Sequence, residues 1–216
     1  MKISKNYAKA IVWMHSLTLL LVVGAFVAFT SSSSEELNYR SNEGARIAIS
    51  GFTNLNTWSM ETDTVQCNGS FVFLNEELQD ISSLSFSTPI KSLKSTHSEM
   101  DSIVYQILEA KEANLITFVQ TQQMVLPRMR MVNIIGDLTL ANVTRRIDLQ
   151  LGYNIGKDKS LHFKGLKKID LKQFGITRAH PLLKTIKFDN QILVQIEMTL
   201  NNNLKFNPTN TIVANK

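Results

Sequence analysis

The feature that most constrains this chain is the alternation of apolar and polar residues along short segments. Between Gln191 and Leu200 every second residue is aliphatic or Met, and the residues between them are mostly polar. The same alternation runs from Arg146 to Tyr153 and from Leu84 to Thr88. Successive side chains of a β-strand point to opposite faces of a sheet, so this period of two predicts strands with one buried face.

From residue 45 to residue 200 the sequence contains about nine such segments, most of them joined by short polar connections. The connections Ala141–Val143 and Gly156–Lys159 have the residue types of hairpin turns. Many short strands without intervening helices predict an all-β, antiparallel sandwich or closed barrel. Periodicity alone does not choose between these two architectures.

One segment has the period of a helix instead. Met100, Ile103, Val104, Ile107 and Leu108 are spaced as the apolar stripe of an amphipathic helix, which we expect near residues 98–112 and packed against the sheet. A capping box at its start is expected from one of two pairs, Ser98 with Asp101 or Thr96 with Glu99.

Residues 1–34 have the pattern of an export signal. Three lysines without a balancing acid precede an uncharged apolar run, Leu17–Phe29, and the small polar residues Ser31–Ser34 follow it. This order is typical of a cleaved signal peptide, and an uncleaved membrane anchor is the alternative. Either interpretation places residues 35–216, the predicted barrel domain, in the periplasm or outside the cell.

The net charge of +5 gives little support to a nucleic-acid partner. Lys2, Lys5 and Lys9 account for three of the 23 basic residues, and without them 20 basic residues face 18 acidic ones. A body so close to neutral does not have the general positive field that binds a phosphate backbone. We therefore expect no nucleic-acid partner.

The residues that could support catalysis are few and scattered. Cys67 is the only cysteine and lies in a strand-like segment, which favours a buried structural thiol over a nucleophile. His97, His162 and His180 have no spacing typical of a metal site, and the chain contains neither a nucleophile elbow nor a glycine-rich phosphate loop. The sequence therefore predicts no enzyme, no cofactor, no metal site and no catalytic residues.

The segment Lys164–Lys172 contains four lysines in nine residues. One interpretation is a solvated strand face that keeps a barrel soluble and protects an edge. The functional alternative is a rim that meets a phosphate head group or an anionic membrane surface. The first interpretation is favoured, because such charge runs usually cover solvent-exposed faces.

Four stretches together resemble the YceI-like polyisoprenoid-binding family. They are SGFTNLNTWSME, FSTPIKSLKSTHSEMDSIVYQILEAKEANLITF, GDLTLANVTRRIDLQL and FKGLKKIDLKQFGI, in that order between about residue 45 and residue 200. The resemblance implies an eight-stranded, lipocalin-like antiparallel barrel with one helix. It also implies an exported carrier that holds an isoprenoid or other amphiphile in its lumen.

If each strand turns its more apolar face inward, seven residues are expected to line such a lumen. The ligand-binding candidates are Trp58, Phe86, Phe118, Leu138, Leu149, Phe163 and Val194. The competing hypothesis is a structural or interaction barrel of the cell envelope that is packed shut and binds no lipid. An isoprenoid-like lipid is the expected partner under the first hypothesis, and a protein or membrane surface under the second.

The leader interpretation makes a first prediction. We expect the mature chain to begin between about Thr30 and Glu36, because signal peptidases cut after small residues that follow the apolar run. N-terminal sequencing of the exported protein measures this. Recovery of an intact Met1 terminus in the membrane fraction would instead identify an anchor.

Overall fold

The structure is a computed structural model, and it describes residues 33–41, 44–53, 57–108, 114–176 and 189–202. These residues form ten strands and one α-helix. The strands are β1 (Glu35–Ser41), β2 (Arg46–Phe52), β3 (Thr57–Thr62), β4 (Gln66–Leu74), β5 (Glu77–Pro89), β6 (Leu115–Leu126), β7 (Met131–Leu140), β8 (Val143–Ile155), β9 (Leu161–Asp170) and β10 (Gln191–Asn202), and the helix is α1 (Ser98–Ile107). The predicted leader lies outside the described residues, apart from Ser33 and Ser34, and stays a prediction.

The ten strands occupy eight positions around a closed antiparallel barrel. Strand β10 pairs along one edge with β9, and along its other edge first with β2 and then with β1. Strands β1 and β2 are therefore two parts of one barrel strand, interrupted between Ser41 and Arg46. On their far side β1 pairs with β4 and β2 with β3, so β3 and β4 share the next position. Strands β4 to β10 then follow in chain order, which confirms the eight-stranded, lipocalin-like barrel.

One strand of the barrel was not predicted. The alternation was taken to begin near residue 45, yet β1 starts at Glu35 and closes the sheet between β4 and β10. Its only large apolar side chains are Leu37 and Tyr39, with Ser41 as the third inward residue, so its pattern is too short and too polar to stand out. The buried Ser41 Oγ accepts a hydrogen bond from the backbone N–H of Cys67 on β4 at 2.8 Å.

Both predicted hairpin turns are present. Ala141 and Asn142 have positive φ angles of 48° and 60° and join Leu140 directly to Val143, as a type I′ turn does. In the connection of β8 to β9, the Gly156 N–H donates to the Ser160 carbonyl at 2.8 Å.

The helix begins at Ser98, as predicted, but its cap and its end differ from the prediction. It ends at Ile107 and residues 109–113 lie outside the described ranges. Neither predicted capping box forms, and the expectation was wrong because the partner of Asp101 lies earlier in the chain. The Asp101 carboxylate accepts from the backbone N–H of Ser95 at 2.8 Å and from its hydroxyl at 2.7 Å. The loop before the helix is thereby tied to its first turn.

One half of the barrel interior is filled by aromatic rings. The Phe71 ring packs edge-on against Tyr39, with ring centroids 5.3 Å apart, and stacks on Phe163 at 5.9 Å. Tyr153 lies next to Phe163 at 6.2 Å, and Phe73 next to Tyr39 at 6.0 Å. Aromatic pairs at these distances stabilise a core beyond the area that they bury. This half of the barrel is a packed core.

In two pairs of neighbouring strands, β5 with β6 and β8 with β9, backbone hydrogen bonds join only part of the strand length. Strands β5 and β6 pair from Ser85–Val119 to Pro89–Leu115, and the remainder is bridged by side chains, including Gln120 Nε2, which donates to the Ile81 carbonyl at 2.8 Å. Strands β8 and β9 pair only from Ile155–Leu161 to Leu151–Gly165. Beyond that point β8 pairs with β7 alone and β9 with β10 alone. We call the space between residues 143–150 and 166–170 the β8–β9 gap.

The packed half makes a prediction about stability. Phe71→Ala should lower the free energy of unfolding by about 3–5 kcal/mol, because it removes a fully buried ring and leaves a cavity. Phe52→Ala is the matched control, since the Phe52 side chain is 61% exposed and its loss should cost no more than about 0.5 kcal/mol. Urea unfolding followed by tryptophan fluorescence measures both. Equal losses in the two variants would show that this half is not the packed core.

Candidate functional site

The other half of the barrel contains two adjoining cavities. They hold about 80 Å³ and about 60 Å³. Both are bounded by Ile49, Leu93, Ile116, Leu140 and Ile192, so a few side chains separate them. The walls are mostly apolar, which makes the space a concave site of the kind that takes hydrocarbon.

The first cavity lies between α1 and the barrel. Val104, Ile107 and Leu108 face it from the helix, and Trp58 and Met60 face it from β3. The apolar stripe of α1 therefore packs against the barrel, as the sequence predicts. The Tyr105 hydroxyl fixes the helix further by donating to the Leu93 carbonyl at 2.5 Å.

The second cavity is enclosed by residues of β2 and of every strand from β5 to β10. Ile147 and Leu149 of β8 and Ile169 of β9 are among its walls. These three residues also border the β8–β9 gap. The barrel wall beside this cavity thus lacks backbone hydrogen bonds between two neighbouring strands.

Five of the seven predicted lumen residues line a cavity. Trp58 contacts the first, and the second is lined by Phe86, Leu138, Leu149 and Val194. Phe118 and Phe163 are also buried but line neither cavity. Phe163 belongs to the aromatic half. Whether any of the seven contacts a ligand stays a prediction.

Phe118 is held by its neighbours in the wall. Its ring stacks on Phe86 with centroids 5.1 Å apart. On the adjacent strand, a Cβ added at Gly136 would lie 2.3 Å from the Phe118 ring, so the ring occupies the space that a side chain there would need. The sequence pattern identified Phe118 as inward-facing correctly but could not show that this ring is covered.

Lys167 is the site residue that the sequence analysis placed differently. It lies opposite Val194 in the β9–β10 pairing and shares the inward register of Phe163 and Ile169. Its side chain is only 22% exposed and borders the second cavity. The interpretation of the lysine cluster as a solvated face therefore fits the exposed Lys164, Lys168 and Lys172 but not Lys167.

The ammonium group of Lys167 reaches across the β8–β9 gap. Its Nζ lies 2.6 Å from Asp148 Oδ1, on a carboxylate whose side chain is 64% exposed. This hydrogen bond lowers the pKa of Asp148 below its ordinary value. Further along the gap, Arg145 Nε donates to the Gln173 carbonyl at 2.8 Å. Lys167 thus spans the gap, and Arg145 joins β8 to the turn that follows β9.

One cluster of polar residues resembles catalytic machinery but has the wrong order. His162 contacts Ser160 Oγ at 2.9 Å through Nε2 and Thr199 Oγ1 at 3.0 Å through Nδ1. The carboxylate of Asp158 accepts from Ser160 and not from the imidazole. A triad needs the acid on the histidine, so this cluster instead joins the β8–β9 turn to β10.

Of the remaining titratable groups in the described ranges, the exposed Asp189 lines the first cavity, and no second one joins it there. Burial raises the pKa of the Cys67 thiol to about 12, which makes it unreactive in the folded protein. Within the described ranges, no three His, Cys, Asp or Glu residues are placed to share a metal ion. The helical part of those ranges also has no segment long and apolar enough to span a membrane. His180 lies outside the described residues.

Comparison with known proteins agrees with this architecture. No curated protein sequence matches the chain. Among solved structures, BcnA of Burkholderia cenocepacia superposes with a TM-score of 0.60 at 12% identity, over 72% of this chain and 95% of that one. A polyisoprenoid binding domain from Saccharophagus degradans, implicated in plant cell wall breakdown, superposes with a TM-score of 0.58 at 11% identity, over 77% of this chain and 99% of that one.

At these identities the two structures demonstrate a shared fold. The family assignment rests on the sequence itself. The model of the YceI-like domain matches residues 40–200, which extend from β1 to β10 and include both cavities. The chain therefore belongs to the YceI-like family.

Proposed function

We propose that this protein binds a long apolar chain, such as an isoprenoid, inside the aliphatic half of its barrel and carries it without chemical change. The observation that carries the proposal is the pair of adjoining cavities whose walls are mostly apolar. A hydrocarbon enters such a site because it leaves water, and no catalytic group is required.

The physical basis of affinity is buried area. Each Å² of apolar surface removed from water contributes about 25 cal/mol before the cost of immobilising the ligand is subtracted. A flexible ligand chain loses conformational entropy on binding, and this loss offsets a large part of the favourable free energy. A barrel with preformed rigid walls reduces the cost on the protein side.

The small size of the cavities limits how a long chain can enter. Their volumes of about 80 Å³ and 60 Å³ are smaller than the roughly 300 Å³ at which ligand pockets usually begin. Uptake of a long chain therefore requires side chains or α1 to move apart. The barrel offers two places for this, namely the side chains that divide the cavities and the helix that covers the first one.

The alternative is a structural barrel of the cell envelope that binds no lipid. The aromatic half favours it, because the contacts of Phe71 with Tyr39 and Phe163 pack that part of the interior with rings. The polyisoprenoid binding domain from Saccharophagus degradans has the same fold, and this analogy supports the carrier proposal. The export pattern of residues 1–34 supports a site of action in the periplasm or beyond.

The carrier proposal is tested by placing a charge in the second cavity. Ile116→Glu should abolish binding of the apolar probe N-phenyl-1-naphthylamine, because Ile116 is buried, borders both cavities, and an unpaired charge in an apolar space is costly. Leu115→Glu is the matched control, since Leu115 is the neighbouring residue on β6 and is 48% exposed. Probe fluorescence gives the binding constant, and circular dichroism confirms that each variant is folded.

Mass spectrometry of an organic extract of the purified protein provides a second measurement. The carrier proposal expects a chain-bearing lipid in stoichiometric amount. A folded wild-type protein that yields no lipid and gives no saturable probe signal would favour the structural barrel.

A further inference from the structure

The β8–β9 gap adjoins the second cavity on a side where the wall is not sealed by backbone hydrogen bonds. In the described part of the chain, eight residues of β8 and five of β9 face each other without pairing. Pairing stops at Gly165, where an added Cβ would lie 2.4 Å from Leu151 Cδ2 and 2.7 Å from the Gln150 carbonyl oxygen. The strands are thus in close contact at Gly165 and part beyond it.

Two cations are carried by the inward register of these separated strands. Alternation along β9 places Lys167 on the same side as Ile169, and alternation along β8 places Arg145 on the same side as Ile147 and Leu149, although the Arg145 side chain is exposed and only Lys167 borders the cavity. Apolar side chains at these two positions would be sufficient if they only had to cover the apolar interior. The methylene stem of Lys167 borders the cavity while its ammonium group lies in the gap.

The charge of the gap is unbalanced. Asp148 is the carboxylate that binds Lys167. Arg145 donates to the backbone carbonyls of Gln173 and Thr144. Within the described residues no carboxylate forms an ion pair with Arg145. The gap therefore has an excess of positive charge and spare hydrogen-bond donors next to an apolar space.

We propose that the ligand is an anionic amphiphile whose chain lies in the cavities and whose carboxylate or phosphate head group lies in the β8–β9 gap, bound by Lys167. This inference rests on the proposed function and adds the chemical class of the ligand and the position of its polar end. In the unliganded protein Asp148 occupies the place of the head group as the counter-ion of Lys167. Binding exchanges one anion for another, so the half-buried ammonium group is never left unpaired.

The exchange explains why Asp148 lies on the outer face. A carboxylate that is 64% exposed is readily solvated when Lys167 leaves it. Lys167, in contrast, is largely shielded and gains more from a partner, because charge-assisted hydrogen bonds are stronger where water is excluded. An anion attached to a buried chain is presented to Lys167 at high effective concentration, so it can compete with Asp148, which the chain itself holds nearby.

The test compares three ligands with the same chain, namely geranylgeraniol, geranylgeranoic acid and geranylgeranyl phosphate. Each displaces N-phenyl-1-naphthylamine from the full-length mature protein. We expect the wild type to bind at least one of the two anions about tenfold or more tightly than the alcohol, the size of effect that a hydrogen bond to a charged group gives. A preference for the phosphate alone, the acid alone or both identifies the head group and supports the proposal.

Variants assign the preference to Lys167. Lys167→Met keeps an unbranched apolar stem and should remove most of the anion preference, measured as the ratio of the affinity for the anion to the affinity for the alcohol. Lys168→Met is the matched control, because Lys168 is adjacent, points outward and should keep the preference. Asp148→Asn should tighten binding of the anion several-fold, since it removes the competing counter-ion. Lys167→Gln provides a second variant if Lys167→Met does not fold.

Two outcomes overturn the inference in distinguishable ways. If the wild type binds all three ligands equally, or Lys167→Met weakens all three to the same extent, the anionic head group is rejected while the carrier function stands. If the folded wild type binds neither the probe nor any of the three chains, the carrier function fails, and the head-group site fails with it.

Discussion

The closure of the sheet by β10 is the interaction on which the rest of the structure depends. Strand β10 pairs with β9 from Gln191 to Leu200 and, on its other edge, with β2 and β1 in succession. Without that second edge the sheet would be open, and its apolar inner face would have no opposite wall to pack against. Closure gives every inward residue a partner across the barrel, so the alternation of the strands becomes a single enclosed interior.

The size of the inward side chains determines which part of the interior is packed and which part contains cavities. Toward one end the inward positions hold aromatic rings, with Tyr39, Phe71 and Phe163 in mutual contact. Toward the other end they hold Ile, Leu and Val, and the barrel is too wide for these residues to fill. The same backbone therefore provides a packed core that holds the barrel together and an aliphatic space that is only partly occupied. The stability of one half permits the incomplete packing of the other.

Much of this architecture follows from the sequence. Strong alternation located β8 and β10, a helical stripe located α1, and the residue types of Ala141 and Asn142 located a hairpin turn. The sequence does not predict the short strand β1, because only Leu37 and Tyr39 mark its inward face. Its position is determined by pairing with β4 and β10 in the closed barrel. The contact at the start of the helix was also not predicted, because Asp101 accepts its hydrogen bonds from Ser95, which lies outside the spacing of a capping box.

The candidate site was less accessible to sequence reasoning. Inward alternation identified five cavity residues but could not separate Phe118 and Phe163, whose rings are covered by neighbours from other strands. Lys167 was grouped with its neighbours because a run of charge is normally a solvated face. Counting the period of two from Phe163 to Ile169 predicts that Lys167 faces inward. The sequence does not show, however, that β8 and β9 stop pairing beside Lys167, which lets its ammonium group reach Asp148 on the outer face.

The incomplete pairing of β8 with β9 also has a consequence for contacts between molecules. Unpaired strand edges carry free backbone donors and acceptors, and they are the places where a second chain can add a strand and start aggregation. The edges of this gap carry Arg145 and Arg146 on one side and Lys167 and Lys168 on the other. An invading strand would have to bury or displace these charges. The cations thus act as gatekeepers that keep an opening in the barrel wall from becoming a site of self-association.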